Sequence, residues 1–135
     1  MNRILAVTAA VLVLACNGGS NAPTDPLANV PRGTLNGLVT IGPNCPGPTT
    51  TNPCPTPPSA YSSRKVEVYD NARTRLLFTV DLDNGGFYAI NLAPNTYTID
   101  LKPNGIDKSG DVPAKVTIKQ NQTTRLDISI DTGIR

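Results

Sequence analysis

Cysteine occurs three times in this 135-residue chain, at Cys16, Cys45 and Cys54, and histidine does not occur at all. Without imidazole the chain lacks the commonest general base and the commonest neutral metal ligand. What remains is the chemistry of thiols, carboxylates and amines. Asp131-Thr132-Gly133 has the sequence of the aspartic-protease triplet, which works as two copies whose carboxylates share a proton. No strands follow it here to build a cleft, so a strand end and turn is the expected role. Asp81-x-Asp83-Asn84-Gly85-Gly86 has the opening of a calcium loop, but Leu92 stands where the twelfth-position acid is needed. A hairpin turn is expected there, with weak calcium binding at Asp81 and Asp83 left open.

Cys16 ends an apolar run. Met1-Asn2-Arg3 gives a short positive start, and the twelve residues from Ile4 to Ala15 carry no charge. Twelve is the length of a secretory h-region, whereas a spanning helix needs about 20 apolar residues. A buried core helix is the alternative, but no capping or amphipathic pattern surrounds the run. Val13-Leu14-Ala15-Cys16 resembles a bacterial lipobox, with leucine one position later than usual. The resemblance implies cleavage before Cys16, acylation of that cysteine and no transmembrane helix. Each buried acyl methylene contributes about 0.8 kcal/mol, so two or three chains hold a soluble domain firmly. Residues 1–15 are thus expected to be a lipoprotein signal peptide and 16–32 a flexible tether rich in Gly, Pro, Ser and Asn. Asn17 instead of aspartate favours the outer membrane in a host that has one.

With Cys16 assigned to lipid, Cys45 and Cys54 remain, with eight residues between them in a proline-rich stretch. Export makes a disulfide between them the expectation. A metal site would need further ligands that are not nearby, and a redox pair would need C-x-x-C spacing.

Such groups need a frame. With 13 prolines, 11 glycines and 16% charged residues, the composition favours short strands and many turns. The net charge of +2 shows no gathered basic stripe, so no nucleic-acid partner is expected. Seven runs alternate from Thr34 onward. Their inward positions are predicted as Leu35, Val39 and Ile41; Val66 and Val68; Leu76, Phe78, Val80 and Leu82; Tyr88, Ile90 and Leu92; Tyr97, Ile99 and Leu101; Val112, Ala114, Val116 and Ile118; and Leu126, Ile128 and Ile130. Lys65, Glu67 and Asp70 are predicted outward, as are Arg125, Asp127, Ser129 and Asp131. Turns at 83–86, 93–96 and 120–123 carry residues that tolerate positive φ. The economical solution is all-β, a seven-stranded antiparallel Greek-key sandwich over 33–135.

Gly86, Tyr88, Ile90, Leu92, Pro94, Asn95, Tyr97 and Ile99 fit the spacing G-x-[FY]-x-[IV]-x-L-x-P-G-x-Y-x-[IV]. This pattern resembles the carboxypeptidase regulatory-like domains of the prealbumin (transthyretin)-like fold, with Asn95 in place of the usual left-handed glycine. Cys45-Pro46 and the closing Asp131 to Arg135 are similar to small bacterial lipoproteins of that group. The resemblance implies an accessory module without cofactor or metal. Enzymes of the fold, a urate-pathway hydrolase and intradiol dioxygenases, depend on histidine. Its pilin and adhesin modules join a lysine to an asparagine; Lys65 could take the first place, but the final strand offers Asp127 and Asp131, and Glu67 is the only glutamate.

The expectation is therefore a lipid-anchored, non-enzymatic module of the cell envelope, serving a structural or interaction role. The alternative is a surface module that binds glycan or peptide through loop 42–62 or the loop around Pro103 to Gly110. Phe87, Tyr61 and Tyr69 are the aromatics that could stack on a sugar, and Asn121-Gln122-Thr123 has the form of a glycosylation sequon, expected to be idle.

Overall fold

The computed structural model describes residues 30–47 and 54–135. The expected signal peptide, Cys16 and most of the tether lie outside them. The elements in chain order are β1 (Gly33–Gly42), a single helical turn α1 (Pro58–Ser62), β2 (Lys65–Tyr69), β3 (Leu76–Asp81), β4 (Phe87–Leu92), β5 (Asn95–Leu101), β6 (Ala114–Ile118), β7 (Thr123–Arg125) and β8 (Ile128–Asp131).

They form two sheets packed face to face. One has β1 between β4 and the β7–β8 edge; the other runs β3-β2-β5-β6. Alternation explains the layering, because each strand has one apolar face to cover. Leu35, Val39, Tyr88, Leu92, Ile128 and Ile130 of the first sheet meet Val66, Val68, Tyr97, Ile99 and Ile118 of the second in one buried core. A fully buried aliphatic side chain contributes about 1.5–3 kcal/mol.

The last alternating run differs from the expectation in two ways. It lies parallel to β1, with Thr34 opposite Thr123 and Val39 opposite Ile128, because the chain crosses from the second sheet to the first before pairing. It is also split into two strands. At the break the Leu126 amide donates to the Asn36 carbonyl at 2.9 Å, and the Leu38 amide donates to the Asp127 carboxylate at 2.8 Å. A side chain thus substitutes for one ladder bond.

Gly37 makes this approach possible. A Cβ there would stand 1.8 Å from the Leu126 carbonyl oxygen. The same oxygen accepts a 2.6 Å bond from the Tyr88 hydroxyl. Burial, followed by the charge of Asp127, raises the Tyr88 pKa well above that of a free tyrosine.

Four local expectations are corrected. The ladder between β2 and β3 shifts after Val68, so Leu76 faces Tyr69 and is 46% exposed, while Leu77 packs against the core. Phe78 sits opposite Val68 on the sheet's edge strand, where nothing covers its outer side, and it stays 45% exposed. Glu67 is buried, because the Tyr69 hydroxyl donates to it at 2.7 Å and the Arg73 guanidinium lies over the Tyr69 ring. Asn95 has no positive φ; it opens β5, and the left-handed non-glycine residues among those described are Arg73 and Asn121.

Candidate functional site

β1 separates two ends of the sandwich by about 30 Å at 3.3 Å per residue. One end is marked by Gly33, where β1 begins. The segments with chemistry-bearing side chains gather at the other end, where β1 finishes at Gly42 opposite Asp131.

The proline-rich loop is closed by the Cys45–Cys54 disulfide, with an S–S distance of 2.04 Å. Its stem is fixed by side chains. Asn44 Nδ2 donates to the Ile41 carbonyl at 3.1 Å and to Thr56 Oγ1 at 2.8 Å, and Thr56 Oγ1 donates to the same carbonyl at 3.1 Å. The buried Thr132 hydroxyl donates to the Pro43 carbonyl, tying the C-terminal segment to this loop.

After the disulfide, Pro58 starts α1 at the position where a missing amide hydrogen does no harm. Arg64 then joins three segments. Its Nη1 donates to the Ala60 carbonyl at 2.8 Å, while Nε and Nη2 reach the two oxygens of Asp107 at 2.6 and 3.0 Å. The pair is nearly buried, at 12% and 13% side-chain exposure. Such a two-pronged pair defines geometry as well as charge. The loop it holds is pinned again by the two-way backbone pairing of Lys108 with Asp131, and the Ser129 amide donates to Asp111 at 2.7 Å.

These restraints frame a cleft of about 220 Å³ between the end of β5 and the 107–112 segment. Leu101, Val112 and Ile130 supply apolar surface, and four cationic side chains stand around it against two aspartates. The candidate loop around Pro103 to Gly110 does line a cleft. The cleft itself was missed in the sequence, because its walls come from four separated segments.

The remaining candidates are dispersed. Asp131 accepts from the Gly133 amide at 2.9 Å and takes both Arg135 Nη atoms at 3.0 and 2.8 Å. The Arg135 guanidinium, then the Gly133 amide, hold its carboxyl at about 2, opposite to the raised value a proton-holding acid needs. Its triplet therefore serves as a turn and a clamp.

Lys65 pairs with Asp81 on the neighbouring strand, and Asp127 is engaged by Arg125 and the Leu38 amide. Lysine, glutamate and terminal aspartates are thus not assembled for an isopeptide. Asp83 Oδ1 accepts from the Gly85 and Phe87 amides, both at 2.8 Å, so it caps a hairpin. No group of three potential metal ligands occurs among the described residues.

Of the aromatics, Phe87 is 53% exposed, Tyr61 rests against Gly86, and Tyr69 lies on the other sheet. They do not form one platform. Asn121 forms the left-handed turn before β7, with its amide donating to the Arg32 carbonyl at 2.8 Å.

The fold defines the chain as a two-sheet β-sandwich domain. It is similar to the minor pilin GBS52 of Streptococcus agalactiae, at 14% identity and a TM-score of 0.51, over 75% of this chain and 44% of that one. Weaker likenesses are to DUF3823 family proteins of Parabacteroides merdae (15% identity, 76% of this chain and 47% of that, TM-score 0.44) and Bacteroides ovatus (15%, 73% and 44%, 0.45). The chain spans less than half the length of each of these. No family model matches the sequence, and no curated protein matches it.

Proposed function

We propose that this chain is a lipid-anchored, non-enzymatic envelope module of carboxypeptidase regulatory-like type, with Cys16 as the acylated residue. The observation that carries the reading is the Cys45–Cys54 bridge, a bond suited to an oxidising compartment outside the cytoplasm. The short apolar leader before Cys16 supports the same address. The sandwich likeness to a pilin domain supports a structural or interaction role, and the acids weighed for catalysis are engaged in turns, caps and ion pairs.

Mass spectrometry of the native amino terminus tests the anchor. The expected peptide begins at Cys16 and carries diacylglyceryl and acyl groups; an intact Met1 with unmodified Cys16 overturns it. A screen of generic ester and peptide substrates tests the rest. Turnover abolished by Asp131→Asn or Asp127→Asn would defeat the non-enzymatic reading.

A further inference from the structure

We propose that the cleft between β5 and the 107–112 segment binds the last residue of a peptide chain, an aliphatic one, carboxylate first. The inference rests on the interaction half of the proposed function and is independent of the anchor. Its first support is charge. Arg64 is committed to Asp107 and Arg73 to Asp100, whereas Lys102 and Lys108 have no ion-pair partner among the described residues. Both lysines line the cleft, whose four cationic side chains outnumber its two aspartates. They favour a carboxylate over a neutral group.

The second support is the floor. Leu101, Val112 and Ile130 are aliphatic, and no aromatic ring lines the cleft. Branched aliphatic surface suits an aliphatic side chain, while a pyranose would want a flat ring to stack on. At about 220 Å³ the cleft suits one residue, being smaller than the pockets of roughly 300–1,000 Å³ that take drug-sized ligands. Asn104, which donates to Ser63 Oγ at 3.4 Å, adds a polar amide to the lining.

The third support is preorganisation. The Arg64–Asp107 fork, the Lys108–Asp131 backbone pair and the Asp111–Ser129 bond hold the walls before any ligand arrives. A prebuilt site avoids the ordering cost that otherwise weakens small ligands. The cleft also lies at the Gly42 end of β1, away from Gly33.

The test is a ¹⁵N NMR titration of the full chain with N-acetyl-leucine, its neutral analogue N-acetyl-leucinamide, and glucuronate. N-acetyl-leucine should saturate with a Kd on the order of 1 mM, moving the amides of Lys102, Asn104, Lys108 and Ser109. The amide analogue should bind about tenfold more weakly, and so should the acid to the Lys102→Gln/Lys108→Gln double variant at unchanged Tm. Equal affinity for acid and amide, shifts away from these residues, or an unaffected double variant would overturn the proposal. Tighter binding of glucuronate would overturn it in favour of an acidic glycan. Failure here with an acylated Cys16 would leave the envelope reading standing.

Discussion

The two ends of the sandwich are closed by different means. Where β1 begins, backbone lies against backbone: a Cβ on Gly33 would come within 2.2 Å of the Lys119 carbonyl, and the Gln122 carbonyl accepts from the Thr34 amide at 2.9 Å. At the far end Gly42, Gly105 and Gly110 each have open space where a Cβ would go. There the loops are held by a disulfide, a buried ion pair and hydroxyl clamps. Main chain in contact leaves no room for a ligand. Loops stapled at a distance leave a cleft.

The contrast can be broken most forcefully at glycine. Gly37→Ala must push β1 away from the Leu126 carbonyl and should lose about 3 kcal/mol or more in urea denaturation. Gly110→Ala should stay within about 0.5 kcal/mol. Equal losses would remove the distinction between a tight interior crossing and an open end.

Next in size is Arg64→Ala, which leaves Asp107 buried without its cation and should cost about 3 kcal/mol. A double-mutant cycle with Asp107→Ala isolates the pair, and a coupling near zero would show that the fork does not hold the loop. Reducing the Cys45–Cys54 bridge comes third, at about 2 kcal/mol, because prolines already restrict the unfolded loop. Hydrogen exchange should then quicken over 42–62 and not at the turn 119–122. Uniform acceleration would mean that the two ends are one cooperative unit.

The smallest loss expected from removing a contact is at Tyr88. Tyr88→Phe removes the bond to the Leu126 carbonyl and should lose about 1 kcal/mol at neutral pH. Its folded pKa is raised, so its contribution is complete below about pH 10, where an unfolded tyrosine still holds its proton, and falls as pH rises further. Thermal midpoints between pH 8 and pH 12 should therefore decline less steeply in the variant. Parallel profiles would assign the alkaline loss to other groups.

The apolar face of the central strands was legible. Val66 and Val68 of β2 and Tyr97 and Ile99 of β5 are buried as period-two alternation requires. Face assignment failed on edge strand β3, where the register shift turns Leu77 inward in place of Leu76. It failed again at Glu67, whose cover comes from Tyr69 and Arg73 on the following turn. Arg73 takes a left-handed φ of 57° although glycine or asparagine would be expected, because Asp70 accepts from the Thr74 and Arg75 amides around it. No turn dipeptide announces that arrangement.

The amino-acid sequence by itself determined the all-β class, most inward positions and the bridge between Cys45 and Cys54, since these follow from nearest-neighbour alternation and from counting thiols. Tertiary structure alone decided that the final strands run parallel to β1, and that Arg64 meets Asp107 across 43 positions. It alone brought Leu101, Val112 and Ile130 into one cleft with Lys102 and Lys108. The physical reason is range: alternation records only whether a side chain faces in or out. Which distant segments meet is settled when two sheets close on one core.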